Sequence, residues 1–369
     1  MSTAKFLSRR LSLGGLVAAT MLAAAPAEAD DGAYAQTVDR AIRFLQTKGQ
    51  ASDGSYSAYA GPGVTALVTT GILRNGRGVH DRVVAHGLEY LQGFVRDDGG
   101  IYRMETLYRN YETCLAVLCF TQANHDGRYD KLLARAERFL KGNQWDEQEG
   151  VGPTDEAYGG TGYGKHARPD LSNTSFFIET LISLGNRPDD EAIQRALIFV
   201  SRCQNLETEH NTTKWASKNP DGSFYYTAAA GGSSQADMTE SGGLRGYGSM
   251  TYAGLKSMIY AGVGPDDPRV KSAFEWIQKN YGLDDNPGLG ADGLYYYYHT
   301  FAKALDAMGV DQIEDADGAK HDWRRELLAE LVARQQPDGS WINESDRWLE
   351  GDPSLVTGYA LLSLSYCRP

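Results

Sequence analysis

Cysteine is scarce in this sequence and follows no recognised motif. Four cysteines occur among 369 residues, and no two of them form a C-x-x-C pair. This spacing excludes the common zinc-finger and thioredoxin-like motifs. Cys114 and Cys119 lie five residues apart in an apolar helical pattern, so their side chains point in different directions. We therefore predict buried structural thiols, although an exported location would permit disulfides.

Positive charge is also in deficit. The chain has 36 Lys and Arg against 48 Asp and Glu, which gives a formal net charge of −12. Lys5, Arg9, Arg10 and Glu28 give residues 1–29 a net charge of +2, so the remaining chain carries −14. A surface of this sign repels nucleic acid and anionic lipid, and we predict neither as a partner.

The sequence lacks an apolar run long enough to cross a membrane. The stretch from Leu11 to Ala25 is too short and too rich in small residues to be a stable span. It follows Arg9 and Arg10 and precedes an A-x-A cleavage pattern at residues 27–29. The pair inside "SRRLSL" resembles a twin-arginine signal, and an ordinary secretory signal is the alternative. We predict that residues 1–29 are an export signal and that residues 30–369 form one periplasmic or extracellular domain.

What the sequence has in abundance is repetition. Six segments carry apolar residues three and four apart, which predicts helices at 41–50, 87–95, 136–144, 196–204, 273–281 and 327–336. Glycine-rich turns with an aromatic residue follow, such as "DGSY", "DGSF" and "DGSW". A second helical pattern closes each unit, at 63–73, 111–120, 172–185, 250–262, 299–309 and 354–366. The chain is therefore predicted to be all-α, with six helix pairs.

The two kinds of helix differ in polarity. The second helices, such as "SLVTGYALLSLSY", are apolar or small nearly all round, so we expect them to be buried. The first helices carry Lys, Arg and Glu on one side, so we expect them outside. An outer ring around an inner ring, an (α/α)6 toroid, satisfies both expectations. An open helical solenoid is the alternative, but the terminal units show no evident polar cap.

A family resemblance rests on the turn motifs. The stretch "RQQPDGSW", Arg334 to Trp341, resembles the Q-W repeat of the squalene–hopene cyclase family, and the other units carry weaker copies such as Gln46…"DGSY". Nearly all of residues 35–369 looks like the toroid that triterpene cyclases share with the β subunits of protein prenyltransferases. The resemblance implies an (α/α)6 barrel whose central cavity is lined by the starts of the inner helices. One such fold hosts several activities.

Both catalytic motifs of these relatives are degenerate here. The cyclase motif D-x-D-D-T is similar to "DLSNT", in which Asp170 and Thr174 are kept but the proton-donor position is Ser172 and the last acid is Asn173. Neither of these two side chains can protonate an alkene. Asp170 serves equally well as a helix N-cap or as part of the cavity.

The zinc site of the prenyltransferases is matched at one position of three. His299 in "YYHT" falls on a ligand position, whereas Ser249 and Thr251 stand where the family has Asp and Cys. We therefore predict no metal and no cofactor, with zinc as the alternative that the one matched position leaves open. Arg245 lies near the position of a diphosphate-binding arginine in that family.

The predicted cavity rim supplies candidate site residues. The candidate catalytic residues, chosen as acids or bases near inner-helix starts, are His299, Asp170, Tyr296 and Asp352. The candidate substrate-binding residues, aromatic, cationic or amide, are Arg109, Tyr111, Arg168, Asn173, Arg245, Tyr252, Lys303, Arg347 and Trp348. Lys165 and His166 fall on the same rim. Tyr296, His299 and Lys303 are spaced to share one helix face.

Three functions fit such a rim. Aromatic faces stabilise carbocations and pack against isoprenoid chains, while Arg, Lys and His bind diphosphate. The first interpretation is therefore an exported, monomeric protein of the cyclase and prenyltransferase type, which binds or converts an isoprenoid. Aromatic platforms with acids and arginines also suit glycans, as in polysaccharide lyases. The third is a repeat scaffold without catalysis.

Overall fold

The computed structural model describes residues 26–164 and 167–368, and this part of the chain is mostly helical. The export signal predicted for residues 1–29 therefore lies mostly outside the described residues. The first helices of the pairs are α1 (Pro26–Phe44), α3 (Arg82–Gln92), α5 (Asp130–Lys141), α7 (Glu191–Arg202), α9 (Pro268–Lys279) and α11 (Trp323–Arg334). The second helices are α2 (Pro62–Arg74), α4 (Arg109–Ala123), α6 (Leu171–Ser183), α8 (Gly248–Tyr260), α10 (Leu294–Met308) and α12 (Pro353–Leu364). Each of the twelve predicted helical patterns overlaps one of these helices; the first, 41–50, shares residues 41–44 with α1 and continues through a π-helical segment, Leu45–Gly49.

Burial separates the two sets as their polarity predicts. Every residue of α2 from Pro62 to Leu73 is buried, and so is every residue of α12 from Ser354 to Leu364. The odd-numbered helices bury one face only; in α5 this face is Leu133, Ala136 and Leu140. Helices without a polar face are stable only inside the core, so the even-numbered helices lie inside and the odd-numbered ones outside.

The even-numbered helices contact one another in a closed sequence. Each packs against the next, from α2 through α4, α6, α8 and α10 to α12, and α12 packs against α2. The last contact includes a hydrogen bond of 2.8 Å from the Asn75 side-chain amide to the Leu361 carbonyl oxygen, across 286 positions of sequence. The N-terminal and C-terminal units of the described chain are therefore neighbours.

A glutamine at the end of four odd-numbered helices ties each unit to the next. Its side-chain amide donates to the carbonyl oxygen of the following turn glycine and to a carbonyl oxygen within the next odd-numbered helix, at 2.8–3.2 Å. These glutamines are Gln50, Gln144, Gln204 and Gln335. Gln335 bonds to Thr37 of α1 and so joins the last unit to the first. The sequence pattern pointed to Gln46, but that side chain is exposed and Gln50 occupies the position.

The turn glycines are required by both conformation and space. Gly54, Gly99, Gly159, Gly222 and Gly339 have φ between 79° and 95°, a region that other residues rarely adopt. A Cβ atom on any of them would collide with a backbone carbonyl group of the next odd-numbered helix. The turn therefore sets how closely neighbouring units pack.

Two features lie outside the twelve helices. Residues 205–247 form an irregular insert between α7 and α8, with a small core of its own made of Trp215, Tyr225, Ala228 and Leu244. Strands β1 (Ile313–Glu314) and β2 (Lys320–His321) pair antiparallel between α10 and α11, with Ile313 opposite His321. All four cysteines are buried and free, as predicted. No helix in the described ranges is both long and apolar enough to cross a bilayer.

Candidate functional site

A cavity of about 450 Å³ lies where the even-numbered helices begin. All six of these helices contribute to its wall, among them α4 through Tyr111 and Glu112 and α6 through Ser172 and Phe176. The remaining wall comes from the loops that lead into these helices and from the insert. A single space thus collects side chains from every repeat unit.

The wall of the cavity is dominated by aromatic rings. The aromatic residues that line it are Tyr59, Tyr108, Tyr111, Tyr163, Phe176, Tyr226, Tyr247, Tyr296, Trp348 and Tyr359. Many of these rings contact one another: Phe176 lies 5.6 Å from Tyr111 and 6.3 Å from Tyr296, and Tyr296 lies 5.9 Å from Tyr359. Such a surface suits an apolar or cationic ligand.

Two carboxylates of the wall are engaged by backbone donors. Glu112 accepts hydrogen bonds from the Arg103 amide at 2.9 Å and from the Thr106 hydroxyl at 3.2 Å. Glu350 accepts from the amides of Tyr295 and Tyr296 at 3.1 and 2.8 Å. Burial raises the pKa of both carboxyl groups. Both have structural partners as well as a position beside the cavity.

Asp170 lies directly behind the wall. It is the N-cap of α6 and accepts hydrogen bonds from the amide and side-chain nitrogens of Asn173 at 2.9 and 2.8 Å. Burial raises its pKa to about 6, against hydrogen bonds from Asn173 and Tyr226 that lower it. Tyr226 itself lines the cavity. Asp170 therefore both caps α6 and contacts the cavity wall.

The structure brings some of the predicted site residues to the cavity. Tyr111, Tyr296 and Trp348 line it. Tyr296 also shares a hydrogen bond of 2.9 Å with the hydroxyl of Ser172, which links α10 to α6. Asp352 caps α12 and accepts a hydrogen bond of 2.6 Å from Tyr59, another residue of the wall.

The predicted arginines lie around the cavity rather than within it. Arg109 and Arg168 stack over Tyr102 and Tyr226, at 5.1 and 5.7 Å from the ring centres. Arg347 stacks over Trp348, pairs with Asp292 and bonds to Gln235 of the insert; Arg245 is exposed. Lys165 and His166 lie outside the described residues.

Three predicted residues are elsewhere. Tyr252 is buried in the core against Tyr297 and Phe301. His299 and Lys303 line a second cavity, closer to the C-terminal ends of the helices. His299 and Lys303 do share a helix face with Tyr296. Because each residue advances about 1.5 Å along the helix axis, however, side chains on this face lie at different depths and line different cavities.

The candidate zinc positions do not come together. Ser249 lines the first cavity and accepts a hydrogen bond from Asn286 at 3.2 Å. Thr251 donates to the Tyr247 carbonyl oxygen and accepts from the Phe224 amide. His299 faces the second cavity. Two hydroxyl groups engaged elsewhere and an imidazole that lines the other cavity do not fit a zinc ion, which needs about four closely placed ligands.

Several wall residues were missing from the predicted rim: Tyr59, Glu112, Tyr163, Phe176, Tyr226 and Tyr359. Phe176 and Tyr359 follow two other wall residues, Ser172 and Leu355, by four positions. A prediction that continued the cavity-lining face of each helix by one more turn would have included both residues. Tyr163 and Tyr226 lie in irregular loops, where no periodicity indicates direction.

Comparisons with known proteins identify the fold. The chain is similar to the type II terpene cyclase MstE from Scytonema, with a TM-score of 0.54 and 14% identity over 90% of this chain and 98% of that one. It is also similar to the crystal structure of a protein from Actinoplanes, with a TM-score of 0.52 and 15% identity over 91% and 100% of the two chains. No protein-family model and no curated protein matches the sequence. The likeness shows a terpene cyclase-like fold.

Proposed function

We propose that this protein is a terpenoid cyclase-like enzyme with an (α/α)6 toroid, which binds an isoprenoid chain in its aromatic cavity and cyclises it after protonation. The observation that carries the proposal is the wall of ten aromatic residues around a space of about 450 Å³. That volume falls in the range of small-molecule sites, roughly 300–1,000 Å³. The closed sequence of helix contacts supports the toroid.

The aromatic wall suits both the ground state and the intermediates of such a reaction. Rings exclude water and pack against a polyene without requiring hydrogen bonds from it. The faces of Tyr and Trp also attract a positive charge, at about 0.5–2 kcal/mol for each ring. Stabilisation on all sides lets a carbocation form in different positions along the chain.

Asp170 is the proposed proton source. A carboxyl group with a pKa of about 6 is partly protonated near neutral pH. The Tyr226 hydroxyl, which is hydrogen-bonded to Asp170 and belongs to a residue of the wall, gives its proton to one alkene carbon, forms a C–H bond there and takes up the proton of Asp170. Ring closure consumes a second alkene, solvent water accepts a proton from the final cation, and the Asp170 carboxylate is reprotonated from solvent. The net reaction is an isomerisation that needs no cofactor.

The same wall argues against a glycan. Sugar-binding sites combine aromatic platforms with many free hydrogen-bonding groups, whereas Glu112 and Glu350 are already engaged by structural donors. The cations at the mouth, such as Arg347, suit an anionic head group on the isoprenoid. The proposal retains an exported monomer that acts in the periplasm or outside the cell.

The test is cyclisation in deuterated water. Farnesol, geranylgeraniol and squalene would be incubated separately with the protein, and products analysed by mass spectrometry. Protonation by the enzyme predicts cyclic isomers that carry one deuterium. Asp170→Asn keeps the helix cap and removes the acid, so the rate should fall about 10²–10⁴-fold. Asp81→Asn changes the N-cap of α3 in the same way, far from the cavity, and should retain full activity.

The pH profile gives a second readout. Because the protonated acid is the active form, the rate should fall as pH rises through about 6. Organic extraction of purified protein should also release a polyisoprenoid. Activity that is unaffected by Asp170→Asn would reject this acid. No product from any of the three substrates and an empty extract would reject the isoprenoid function.

A further inference from the structure

A buried cluster of charges lies beyond the aromatic cavity. Glu179 on α6 forms ion pairs with Lys256 on α8, at 2.7 Å, and with Lys303 on α10. All three side chains are at most 6% exposed. Charges removed from water in this way are costly unless paired, so their number and sign at this place require an explanation.

The cluster holds more positive than negative charge. Around it lies a cavity of about 170 Å³ whose wall includes Lys303, Glu179 and Arg74, the last residue of α2. Glu179 is the one carboxylate in the wall among the described residues. Lys256 does not line the cavity but pairs with the same carboxylate, so two ammonium groups and a guanidinium group surround Glu179. Arg74 bonds to the Tyr366 hydroxyl, which is neutral.

Two polar atoms in the same wall lack a partner. The Nδ1 atom of His299 and the hydroxyl of Thr121 are buried and make no hydrogen bond within the described residues. Both residues line the cavity, and His299 is only 3% exposed. Burial and the neighbouring Lys303 lower the His299 pKa well below its usual value, so its imidazole is neutral. A neutral imidazole protonated on Nδ1, like a hydroxyl, can donate a hydrogen bond to a ligand.

The helix ends explain only part of this charge. The C-terminus of a helix carries about −0.5 charge, which favours nearby cations such as Arg74. Lys256 and Lys303, however, lie at least one turn before the ends of α8 and α10, where that effect has largely decayed. Burial also lowers the pKa of Lys303 to about 8, so holding its charge at this place is costly.

We propose that this cavity is a binding site for a small oxyanion, a phosphate or carboxylate group held between Arg74, Lys303, His299 and Thr121. An anion there balances the surplus charge and supplies the acceptor that the imidazole and hydroxyl lack. The space suffices for more than one water-sized group, since about 10–15 Å³ accommodates one. Phe176 lines both cavities, so the site adjoins the aromatic cavity but does not depend on its proposed chemistry.

The test is titration with inorganic phosphate and, separately, acetate, at constant ionic strength with chloride as the reference anion. Calorimetry and the thermal unfolding midpoint would be recorded. We expect one of the two oxyanions to bind with saturation and to raise the midpoint, whereas chloride does neither. Lys303→Met should weaken binding at least 10-fold. Glu179→Gln removes the competing carboxylate and should tighten binding at least 5-fold.

The control is Lys271→Met, which removes an exposed lysine of α9 and changes net charge by the same amount. Its binding should equal that of the unmodified protein. Glu179→Gln distinguishes an anion-binding site from a purely structural ion pair. A binding site predicts tighter anion binding in this variant, whereas a structural ion pair predicts only lost stability. The comparison keeps the proposal testable if Lys303→Met does not fold. Absence of saturable binding of both oxyanions to the unmodified protein would overturn the proposal, and so would equal loss in Lys303→Met and Lys271→Met.

Discussion

At the scale of single residues, Glu350 shows how a distant side chain can begin a helix. The N-cap of α10 is Gly293, which has no side chain to offer. Glu350, more than fifty positions later, accepts hydrogen bonds from the amides of Tyr295 and Tyr296 and from the side-chain amide of Asn343. The negative charge also suits the positive end of the helix dipole. One carboxylate thus fixes the start of α10 and the loop before α12.

Glu350→Gln should therefore destabilise the protein. The new NH₂ group faces N–H donors, leaves at least one of them unpaired and removes a charge, at a cost of about 1–3 kcal/mol. Urea unfolding followed by fluorescence would measure the change. Glu344→Gln, at an exposed position of the same loop, should change stability by less than about 0.5 kcal/mol. Equal stability of the two variants would contradict the capping role.

At the scale of elements, the turn glycines define the spacing between units. Gly339 has φ of 94°, and a Cβ atom there would collide with the Arg40 carbonyl oxygen of α1. Gly76 has nearly the same φ, 92°, but no atom lies within 4 Å of its Cβ position. The two positions therefore separate backbone strain from close packing.

The matched pair gives a prediction. Gly76→Ala should cost about 1–2 kcal/mol, the strain of a left-handed alanine. Gly339→Ala adds a collision with backbone that cannot rotate away, so its total cost should be about 3 kcal/mol or more. Chemical denaturation of both variants measures the difference. Similar losses of stability in the two variants would mean that the backbone between the last and first units can shift to accommodate the added Cβ atom.

The elements also show how far the sequence could be interpreted. Helical periodicity located all twelve helices, because a buried or half-buried helix must repeat its apolar residues every three to four positions. The same pattern correctly predicted that Tyr111 and Tyr296 line the cavity. It could not separate Tyr296 from His299, because depth along a helix axis leaves no trace in the periodicity. Nor could it reveal that Tyr226 contacts Asp170, since a loop has no fixed direction.

At the scale of the whole molecule, the two ends of the described chain lie together. Arg368 donates to the Tyr34 hydroxyl at 3.3 Å, and α1 contacts α11 and α12. The contact between the first and last units is therefore a packing interface like the others. Other neighbouring units are joined by the chain, but packing across such an interface does not depend on that covalent link.

A circular permutant tests this equivalence. Joining Arg368 to residue 31 by a short flexible linker and opening the chain between Gly264 and Pro265, in an exposed turn, should preserve the fold. We expect an unfolding midpoint within about 2 °C of the original, because roughly 1 kcal/mol shifts the midpoint of a chain of this length by only about 1–2 °C. Opening within α2, between Thr69 and Thr70, should abolish folding. Failure of the first permutant would show that the original connectivity is essential.

The contact between α2 and α12 also determines when the chain can finish folding. The Asn75–Leu361 hydrogen bond joins positions 286 residues apart. A ribosome that adds roughly 5–20 residues per second needs about 15–60 s to make that stretch. During this time one flank of α2, which is buried from Pro62 to Leu73 in the folded protein, has no neighbour. Each newly made chain therefore passes through a period of exposure to aggregation whose length is set by the rate of translation.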